Sequence, residues 1–505
     1  MALASTHAAT LEGVSAHLVT VEANIGPGLP GVHMVGLGDA AVKESRERIR
    51  TAVANSALPW PRTKVMVSLS PAHIPKAGSH FDLPVALAVI AGMDPRAQLR
   101  LESAMVLGEL GLSGTLRRVE GILPMLLAAP EHLEWLVVPA ENAAEAALLG
   151  SERVLVARSL SEVWNWLLGI APLERPGPAQ LHDATSPAPD FRDIAGQLPE
   201  RHALEVAAAG GHHVMMVGPP GVGKSMLAER LPSILPPLDP AEVIEATALH
   251  SVAGGPHRGV VNRRPFVAPH PSVSRAALIG GGSGRPRPGA VSLAHHGVLF
   301  LDEASEIPAA VLDALRIPLE SGAVRLSRTR REVVYPADFQ LVLAANTCKC
   351  GAATPSRCVC RAHERAAHLR NLSGPLRDRL DISLHITAQD AVVSARGAEA
   401  SADIAQRVAA ARDRAAHRWL RAGLTARVNA RVSAALLRRD HPATEDAMAL
   451  VGAYLADGTL TQRGVDRVLR LAWTLADLDE QARPNLDHVA RAVELRTPHS
   501  EGVFA

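Results

Sequence analysis

The stretch MMVGPPGVGKSML, residues 215–227, decides the fold predicted for this chain. Within it, GPPGVGKS fits the pattern G-x-x-x-x-G-K-[ST] without departure, after an apolar strand and before an apolar helix start. Glycines let backbone N–H groups close around phosphate oxygens, and the following helix points its positive end at them. We predict an ATP-binding loop in which Lys224 contacts the β- and γ-phosphates and Ser225 ligates Mg²⁺. The nucleotide-binding residues predicted from this pattern are Gly218, Pro219, Pro220, Gly221, Val222, Gly223, Lys224 and Ser225.

Two further apolar runs end in polar residues suited to the same site. GVLFLDEA delivers Asp302 and Glu303, and FQLVLAAN delivers Asn346. Ligands bind at the carboxyl ends of strands in parallel sheets. We therefore expect Asp302 to hold Mg²⁺, Glu303 to polarise the attacking water and Asn346 to orient it. Together, the three strand ends predict an AAA+ ATPase core that hydrolyses ATP.

Composition limits the classes of partner and compartment. The 505 residues hold 52 Lys+Arg against 51 Asp+Glu, so a polyanion would have to be bound by local basic patches. Aromatic residues make up 3% of the chain, so it would bind a nucleic acid through its phosphates more than by stacking on its bases. No apolar run reaches the roughly 18 residues of a membrane helix, and no secretory signal is evident. We expect a cytoplasmic protein without a membrane partner.

The chain divides by pattern into four segments. Residues 1–168 mix short β-branched runs with a helical segment, and residues 169–190 are rich in Pro, Ala and polar residues, as in an exposed linker. Residues 191–390 alternate strand-like and helical segments, the pattern of a doubly wound parallel sheet. Residues 391–505 are almost entirely helical in pattern and are predicted to form a helical lid.

All four cysteines, Cys348, Cys350, Cys358 and Cys360, form a C-x-C-x₇-C-x-C array. In an extended strand, side chains at i and i+2 share a face, so each pair could bind one metal ion. Four thiolates suit a closed tetrahedral zinc site. Two disulfides and four free thiols remain the alternatives. The array follows Asn346 closely and is expected to brace a loop near the ATP site or a pore.

Longer motifs resemble one family over nearly the whole chain. They include RPFVAPHPSVSRAALIGGGSGRPRPGAVSLAHHGVLFLDEA at 264–304, SGPL followed by RLDI at 373–382, the C-x-C pairs, and GLPGVHMVGLGDAAVKESRERIR near the N-terminus. The chain resembles the YifB/ComM family, whose members are magnesium-chelatase-like AAA+ proteins. The resemblance implies an N-terminal S5/Lon-like α+β domain and a homo-hexameric ring that moves on single-stranded or branched DNA. For ComM-type members it implies helicase or branch-migration activity in recombination and natural transformation.

The same resemblance assigns further roles to residues of this sequence. Residues 260–297 would be an insert that lines a central pore, and residues 320–336 would be the pre-sensor hairpin. The polar tip of that hairpin holds Arg328, Arg330 and Arg331, which could contact DNA phosphates. Arg379 would be the arginine finger given to a neighbour's ATP, and Arg463 would be the sensor-2 arginine of the lid.

The N-terminal segment resembles a Lon-type peptidase domain that lacks the Ser-Lys dyad. Asp82 falls in the place of the serine, and Leu123 in the place of the lysine. Ser79 and Lys76 are close in sequence, but Lys76 is expected at the surface, whereas a lysine base must be buried. Two alternative functions stay open: a magnesium-chelatase-type motor subunit, and a Lon-like peptidase or unfoldase.

Overall fold

The computed structural model describes most of the chain. The described residues are 2–36, 38, 40–178, 189–254, 259–282, 286–328, 331–352, 357–361, 363–364, 368, 371–387 and 398–497, without the side chains of 40–43, 328 and 331. A mixed α/β architecture with a parallel sheet and a C-terminal helical region confirms the predicted fold class. Across these residues, every helix is too short or too polar to cross a bilayer.

The N-terminal unit is a seven-stranded mixed sheet with helices, in the order β3-β4-β2-β1-β5-β8-β9. Its strands are β1 (Ala2–Glu12), β2 (Ser15–Gly26), β3 (Gly31–Val35), β4 (Lys64–Ser70), β5 (Ala104–Val106), β6 (Glu109–Leu110), β7 (Leu116–Arg117), β8 (Trp135–Pro139) and β9 (Val154–Ala157). Of these, β6 and β7 pair with each other in a separate two-stranded sheet. Its helices are α1 (Ala40–Asn55), α2 (Asp82–Ala91), α3 (Pro95–Glu102), α4 (Ile122–Leu127), α5 (Ala143–Ala146) and α6 (Leu160–Leu167). Leu173 packs on this core and Glu174 bridges to Val156 of β9, so chain beyond residue 168 still belongs to the unit.

The central unit contains a five-stranded sheet in the order β11-β14-β17-β10-β18, and all its pairings are parallel. Its strands are β10 (Val214–Val217), β11 (Phe266–Val267), β12 (Gly280–Gly281), β13 (Arg287–Pro288), β14 (Val298–Leu301), β15 (Ala323–Arg328), β16 (Arg331–Pro336), β17 (Gln340–Ala345) and β18 (Ile382–His385). Its helices are α7 (Leu198–Gly210), α8 (Lys224–Ile234), α9 (Pro240–Ala253), α10 (Arg275–Ile279), α11 (Ala290–Leu293), α12 (Ala309–Leu312), α13 (Arg316–Ser321) and α14 (Gly374–Arg377).

Both faces of this sheet are buried, which explains why its strands read as continuous apolar runs. In β14, Val298 and Phe300 face one core, whereas Leu299 and Leu301 face the other. This alternation follows from the two-residue period of a strand. All four strand residues are buried, so the carboxyl end of β14 is held rigidly between two packed layers.

The C-terminal helices pack on one face of the parallel sheet. They are α15 (Ser401–Arg421), α16 (Ala434–Arg439), α17 (Glu445–Ala456), α18 (Gln462–Leu478) and α19 (Leu486–Arg496). In α15 the buried positions recur at helical spacing, including Ile404, Val408 and Trp419. Trp419 lies edge-on to Trp473 of α18, with ring centroids 5.7 Å apart. The lid and the sheet therefore share one hydrophobic core.

The N-terminal unit contacts several segments of the central unit. At the end of α9, Ser251 donates to the Glu145 carboxylate at 2.6 Å, and Gly121 N–H donates to the Ser251 carbonyl at 3.1 Å. At the β1–β2 turn, a Cβ on Gly13 would lie 2.6 Å from Val333 of β16. The N-terminal unit thus packs against the middle of β16 in the β15–β16 hairpin.

Candidate functional site

The predicted phosphate-binding loop joins β10 to α8 and depends on glycine at three positions. Gly221 and Gly223 have φ angles of +81° and +89°, in the left-handed region that glycine enters without strain. A Cβ on Gly218 would lie 2.5 Å from the carbonyl oxygen of Ile386. Because α8 begins directly after Gly223, the positive end of an 11-residue helix faces the loop.

The Lys224 side chain is buried within this loop and bound by neutral acceptors. Its ammonium donates to the carbonyl oxygens of Gly218 and Pro219, both at 2.7 Å, and to Asn346 Oδ1 at 3.1 Å. Burial lowers the pKa of Lys224, while the charges of Asp302 and Glu303 oppose that shift. Among the described residues, no carboxylate forms a direct ion pair with Lys224. Its charge is therefore open to an anion such as a nucleotide phosphate.

The two predicted Mg²⁺ ligands lie against each other. Ser225 Oγ donates to Asp302 Oδ2 at 2.7 Å, although 77 residues separate them in sequence. A hydroxyl oxygen and a carboxylate oxygen are ligands that Mg²⁺ accepts, with water and phosphate oxygens completing its shell. The donor set therefore fits a magnesium–nucleotide complex at this position.

Glu303 follows Asp302 in a strained backbone conformation. Its φ is +46°, a region that costs a non-glycine residue about 1–3 kcal/mol and that concentrates at functional sites. The turn is supported because Glu303 N–H donates to Asp302 Oδ1 at 2.8 Å. The Glu303 side chain is exposed, which leaves its carboxylate available to a water molecule.

The strand order explains why these side chains meet. β17 lies between β10 and β14, so the residues after these strands converge at one edge, here called the carboxyl edge. The predicted residues Lys224, Ser225, Asp302, Glu303 and Asn346 all lie there. We define the opposite edge, where the strands begin, as the amino edge.

Arg379 lies at the amino edge. It precedes Ile382, the first residue of β18, which pairs with Val214 at the start of β10. The four residues of β10 span about 13 Å at the rise of a parallel strand. Arg379 ion-pairs with Glu320, and 13% of its side chain is exposed. The structure therefore does not bring Arg379 to the phosphate-binding loop of its own chain.

Arg463 lies at the same edge, one residue after the start of α18. Its guanidinium is 3.5 Å from the carboxylate of Asp378, and its side chain is 72% exposed. Since Asp378 directly precedes Arg379, the two predicted catalytic arginines share one surface region. Both are remote from the carboxyl edge of their own chain.

The four cysteines lie together near the phosphate-binding loop. The Sγ atoms of Cys348 and Cys350 are 3.2 Å apart, and Cys358 Sγ is 3.6 Å from each of them. No disulfide joins these four cysteines, and their sulfurs lie within 4.8 Å of one another. Zinc bonded to sulfur at about 2.3 Å has tetrahedral S···S separations of about 3.8 Å. The arrangement fits a zinc ion.

The cysteine loop contacts the nucleotide loop directly. A Cβ on Gly351 would lie 3.3 Å from Pro220 Cγ, so ordering of the cysteine cluster constrains the outer side of the phosphate-binding loop. A hydrogen bond with Cys348 lowers the pKa of Cys350 to about 6. The thiolate is the form of cysteine that binds metal, and this hydrogen bond favours it at Cys350.

The β15–β16 hairpin occupies the predicted pre-sensor position, with a register from Ala323 opposite Pro336 to Arg328 opposite Arg331. The predicted DNA contacts at its tip lie outside the described side chains: Arg330 is undescribed, and only the backbone of the other two arginines is described. The base is anchored, because Tyr335 Oη donates to the Pro286 carbonyl at 2.6 Å. This bond ties the hairpin to the 260–297 insert.

The positions compared with a peptidase dyad serve packing in this structure. Asp82 binds Arg48 through two hydrogen bonds of 2.6 and 3.0 Å, and burial raises the pKa of Asp82 to about 6 against the effect of Arg48. Leu123 is buried, and Ser79 is bonded to Glu109.

The expected surface position of Lys76 is wrong. The side chain has 0% exposure and its ammonium donates to the carbonyl oxygen of Pro71. Its loop is packed under β1, where Thr10 Oγ1 donates to the Pro75 carbonyl at 3.1 Å. Burial lowers the pKa of Lys76, but a fully covered amine has no access to a substrate.

The sequence prediction did not include one residue that contacts the phosphate-binding loop. Gln197 has a φ of +53° and donates through Nε2 to the carbonyl oxygen of Val222 at 2.6 Å. A Cβ on Gly223 would lie 3.4 Å from the same Gln197 nitrogen. The pair is 25 residues apart in sequence, and no motif spacing links them.

Comparison with protein families gives three matches along the chain. The model described as magnesium chelatase, subunit ChlI, matches residues 190–393. A second, described as subunit ChlI of Mg-chelatase, matches residues 21–142. A third, for the C-terminal part of the same subunit, matches residues 398–496. The three matches together cover each of the three structural units.

Curated relatives match over almost their whole length. An uncharacterized protein of Mycobacterium tuberculosis (strain ATCC 25618 / H37Rv) is 48% identical over 502 residues, covering 98% of this chain and 99% of the relative. Uncharacterized protein YifB of Escherichia coli (strain K12) is 39% identical, with 98% and 97% covered. Competence protein ComM of Haemophilus influenzae (strain ATCC 51907 / DSM 11121 / KW20 / Rd) is 36% identical, with 98% of each chain covered.

Proposed function

The chain belongs to the YifB/ComM family of magnesium-chelatase-like AAA+ proteins, and on that premise we propose that it is an ATP-driven motor acting on DNA. The motor is a hexameric ring whose ATP sites each use two adjacent subunits. Its ComM-like role is helicase or branch-migration activity on recombination intermediates.

The observation that carries this proposal is the separation of the two edges of the parallel sheet. The carboxyl edge holds Lys224, Ser225, Asp302, Glu303 and Asn346 within hydrogen-bond contact or adjacent in sequence. Arg379 and Arg463 lie at the amino edge. A finger at that edge can reach only the nucleotide of another chain, and repeated head-to-tail contact closes into a ring.

Within one site, each residue has a separate task. Bound Mg²⁺ would neutralise charge on the phosphates, held by Ser225 and Asp302. Lys224 stabilises the β- and γ-phosphates by its charge. Glu303 accepts a hydrogen bond from the attacking water, and Asn346, fixed by Lys224 at 3.1 Å, orients that water near the γ-phosphate.

Arg379 of the next subunit completes the site. A planar guanidinium stabilises charge that spreads over the transferring phosphoryl group. To do so, Arg379 must leave Glu320, with which it is paired in the single chain. Arg463 adds a second cation from the same edge.

The DNA part of the proposal is supported by the hairpin and its anchoring. The β15–β16 register puts Arg328 opposite Arg331 at the tip, beside Arg330 in sequence. Tyr335 binds the insert and Val333 contacts the N-terminal unit, so the described part of the hairpin is held from two sides. The predicted partner is the phosphate backbone of single-stranded or branched DNA.

A zinc ion at Cys348, Cys350, Cys358 and Cys360 is the proposed structural metal. The S···S distances of 3.2–3.6 Å and the contact of Gly351 with Pro220 support it. The ion would brace the loop that covers the nucleotide.

The test is movement of a labelled three-way or four-way DNA junction by the purified ring. Wild type is compared with Glu303→Gln, and Glu306→Gln at the same sheet edge is the matched control. We expect wild type and the control to resolve the junction with ATP and Glu303→Gln to fail. Robust ATP hydrolysis by a wild-type ring that moves neither junction would contradict the DNA function.

The family models carry a chelatase description, which makes a metal-chelatase motor the competing function. It predicts that protoporphyrin stimulates ATP hydrolysis, whereas the DNA motor predicts stimulation by DNA. DNA affinity should also fall steeply between low and physiological salt because phosphate contacts release counterions. Stimulation by protoporphyrin together with a flat salt dependence for DNA would favour the chelatase.

A further inference from the structure

The loop at residues 378–381, which contains Arg379, links α14 to β18 and is held by arginines of the C-terminal helices. All three contacts come from α18 and α19. They are Arg463 with Asp378 at 3.5 Å, Arg467 with Asp381 at 2.8 Å, and Arg496 with the Leu380 carbonyl at 2.8 Å. The segment that carries the predicted finger is therefore held from the lid.

Asp381 is the buried centre of this arrangement. Its side chain has 0% exposure, and its two oxygens face different elements. Oδ1 accepts from Arg467 of α18. Oδ2 lies 3.3 Å from His212 Nδ1 and accepts from the His213 N–H at 3.2 Å. Burial alone would raise the pKa of Asp381, but Arg467 and His212 outweigh burial and hold it below its ordinary value.

The partners of Asp381 connect it to both predicted halves of the ATP site. His212 and His213 directly precede β10, the strand that ends in the phosphate-binding loop. Arg467 lies one helical turn after Arg463 on α18. Asp381 itself stands two residues after Arg379. One carboxylate thus joins the finger segment, the lid helix and the residues that lead into β10.

We propose that Asp381 is a positioning residue through which the lid sets Arg379 and Arg463 as one unit for the nucleotide of the neighbouring subunit. This inference rests on the proposed function. The ionised carboxylate fixes the loop against α18, so both guanidiniums keep a constant separation. Loss of that charge frees the loop and misplaces the finger, whereas the phosphate-binding loop of the same chain remains competent. A misplacement of about 1 Å is enough to slow an enzyme about a hundredfold.

The experiment is a subunit-mixing ATPase assay. Asp381→Asn keeps the shape of the side chain and removes its charge. Alone, it should bind ATP like wild type and hydrolyse it about a hundredfold more slowly. Mixed with Lys224→Ala, it should recover activity, since its intact phosphate loop meets the intact arginines of the other variant. Mixed with Arg379→Ala, it should stay inactive, because both variants lack a working finger.

Two outcomes overturn the proposal. Continued inactivity of the Asp381→Asn and Lys224→Ala mixture would mean that the substitution damages its own site, as a purely structural ion pair would. Wild-type hydrolysis by Asp381→Asn alone would mean that the carboxylate positions nothing. Asp466→Asn, on the same helix and paired with Arg438, is the matched control and should keep the wild-type rate.

A further mixture distinguishes failure of the Asp381 proposal from failure of the proposed function on which it rests. A mixture of Lys224→Ala with Arg379→Ala must recover activity; without recovery the shared-site function fails, and Asp381 loses its role with it. Removing one partner of a buried pair can unfold a protein. Arg467→Lys keeps the charge and loses the planar fork, so it is a second variant for the same assay. It should recover activity when mixed with Lys224→Ala and stay inactive when mixed with Arg379→Ala.

Discussion

The two edges of the central sheet differ in how their charged side chains are used. At the carboxyl edge, Lys224 is buried and its ammonium is hydrogen-bonded to neutral acceptors. Its charge is therefore available to an anionic ligand. At the amino edge, Arg379 and Arg463 are paired with acidic residues at or near the surface. The first edge leaves a buried cation open to an anion, whereas the cations of the second edge are already paired within the chain. On the proposed function, a single chain therefore contains the two halves of an ATP site without joining them.

Removing Lys224 tests whether the carboxyl edge alone carries nucleotide binding. Lys224→Ala should lower ATP affinity about a hundredfold or more, since it deletes a charge-assisted contact to the phosphates. Binding of a fluorescent ATP analogue measures the effect, with Lys64→Ala as control. ATP binding at wild-type strength would show that nucleotide binding at the carboxyl edge does not depend on Lys224.

Glu303 separates binding from cleavage within the carboxyl edge. Glu303→Gln should retain ATP affinity and slow hydrolysis about 10²–10⁴-fold, because the amide is a poor acceptor for the proton of the attacking water. Phosphate release under saturating ATP gives the rate, and the control is Glu306→Gln. Normal turnover would show that another residue activates the water.

Arg463→Ala tests whether the amino edge contributes to ATP hydrolysis. Arg463→Ala should reduce kcat about tenfold, since a cation at developing charge contributes to the transition state, while KM for ATP stays near its wild-type value. Steady-state hydrolysis distinguishes the two parameters. The exposed Arg421→Ala on α15 is the control, and an equal loss there would make the effect non-specific.

The cysteine cluster tests whether metal binding supports the carboxyl edge. Cys358→Ser should release about one zinc equivalent per chain, because a structural site needs four ligands. It should also raise KM for ATP a few-fold through the contact with Pro220. Elemental analysis and thiol titration report the loss of zinc, steady-state ATP hydrolysis gives KM, and Lys349→Ala is the control. Two disulfides and no zinc in the wild type would contradict the assignment.

The carboxyl edge was predictable from sequence because its signals are local. A strand followed by glycines, or by Asp302 and Glu303, carries its chemistry within a few residues, and parallel strands bring such ends together. The amino edge has no such signal. Asp381 contacts residues 86 and 169 positions away, and only the packed lid places them beside it.

Lys76 shows the same limit in the N-terminal unit. Its loop has no apolar periodicity, so sequence favours a surface position. Burial results from the packing of the loop beneath β1, through the Thr10 to Pro75 bond and the bridge of Gly38 with Lys76. These contacts join segments that are distant in sequence, and they bury Lys76 as part of the packing of the unit.

The most direct test of a site shared between subunits is the mixture of Lys224→Ala with Arg379→Ala. Each variant alone should be nearly inactive, one for lack of bound nucleotide and the other for lack of a finger. Combined in equal amounts and allowed to form rings, they should recover about a quarter of the wild-type sites, those pairing an intact loop with an intact arginine. No recovery from two folded, ring-forming variants would contradict the account.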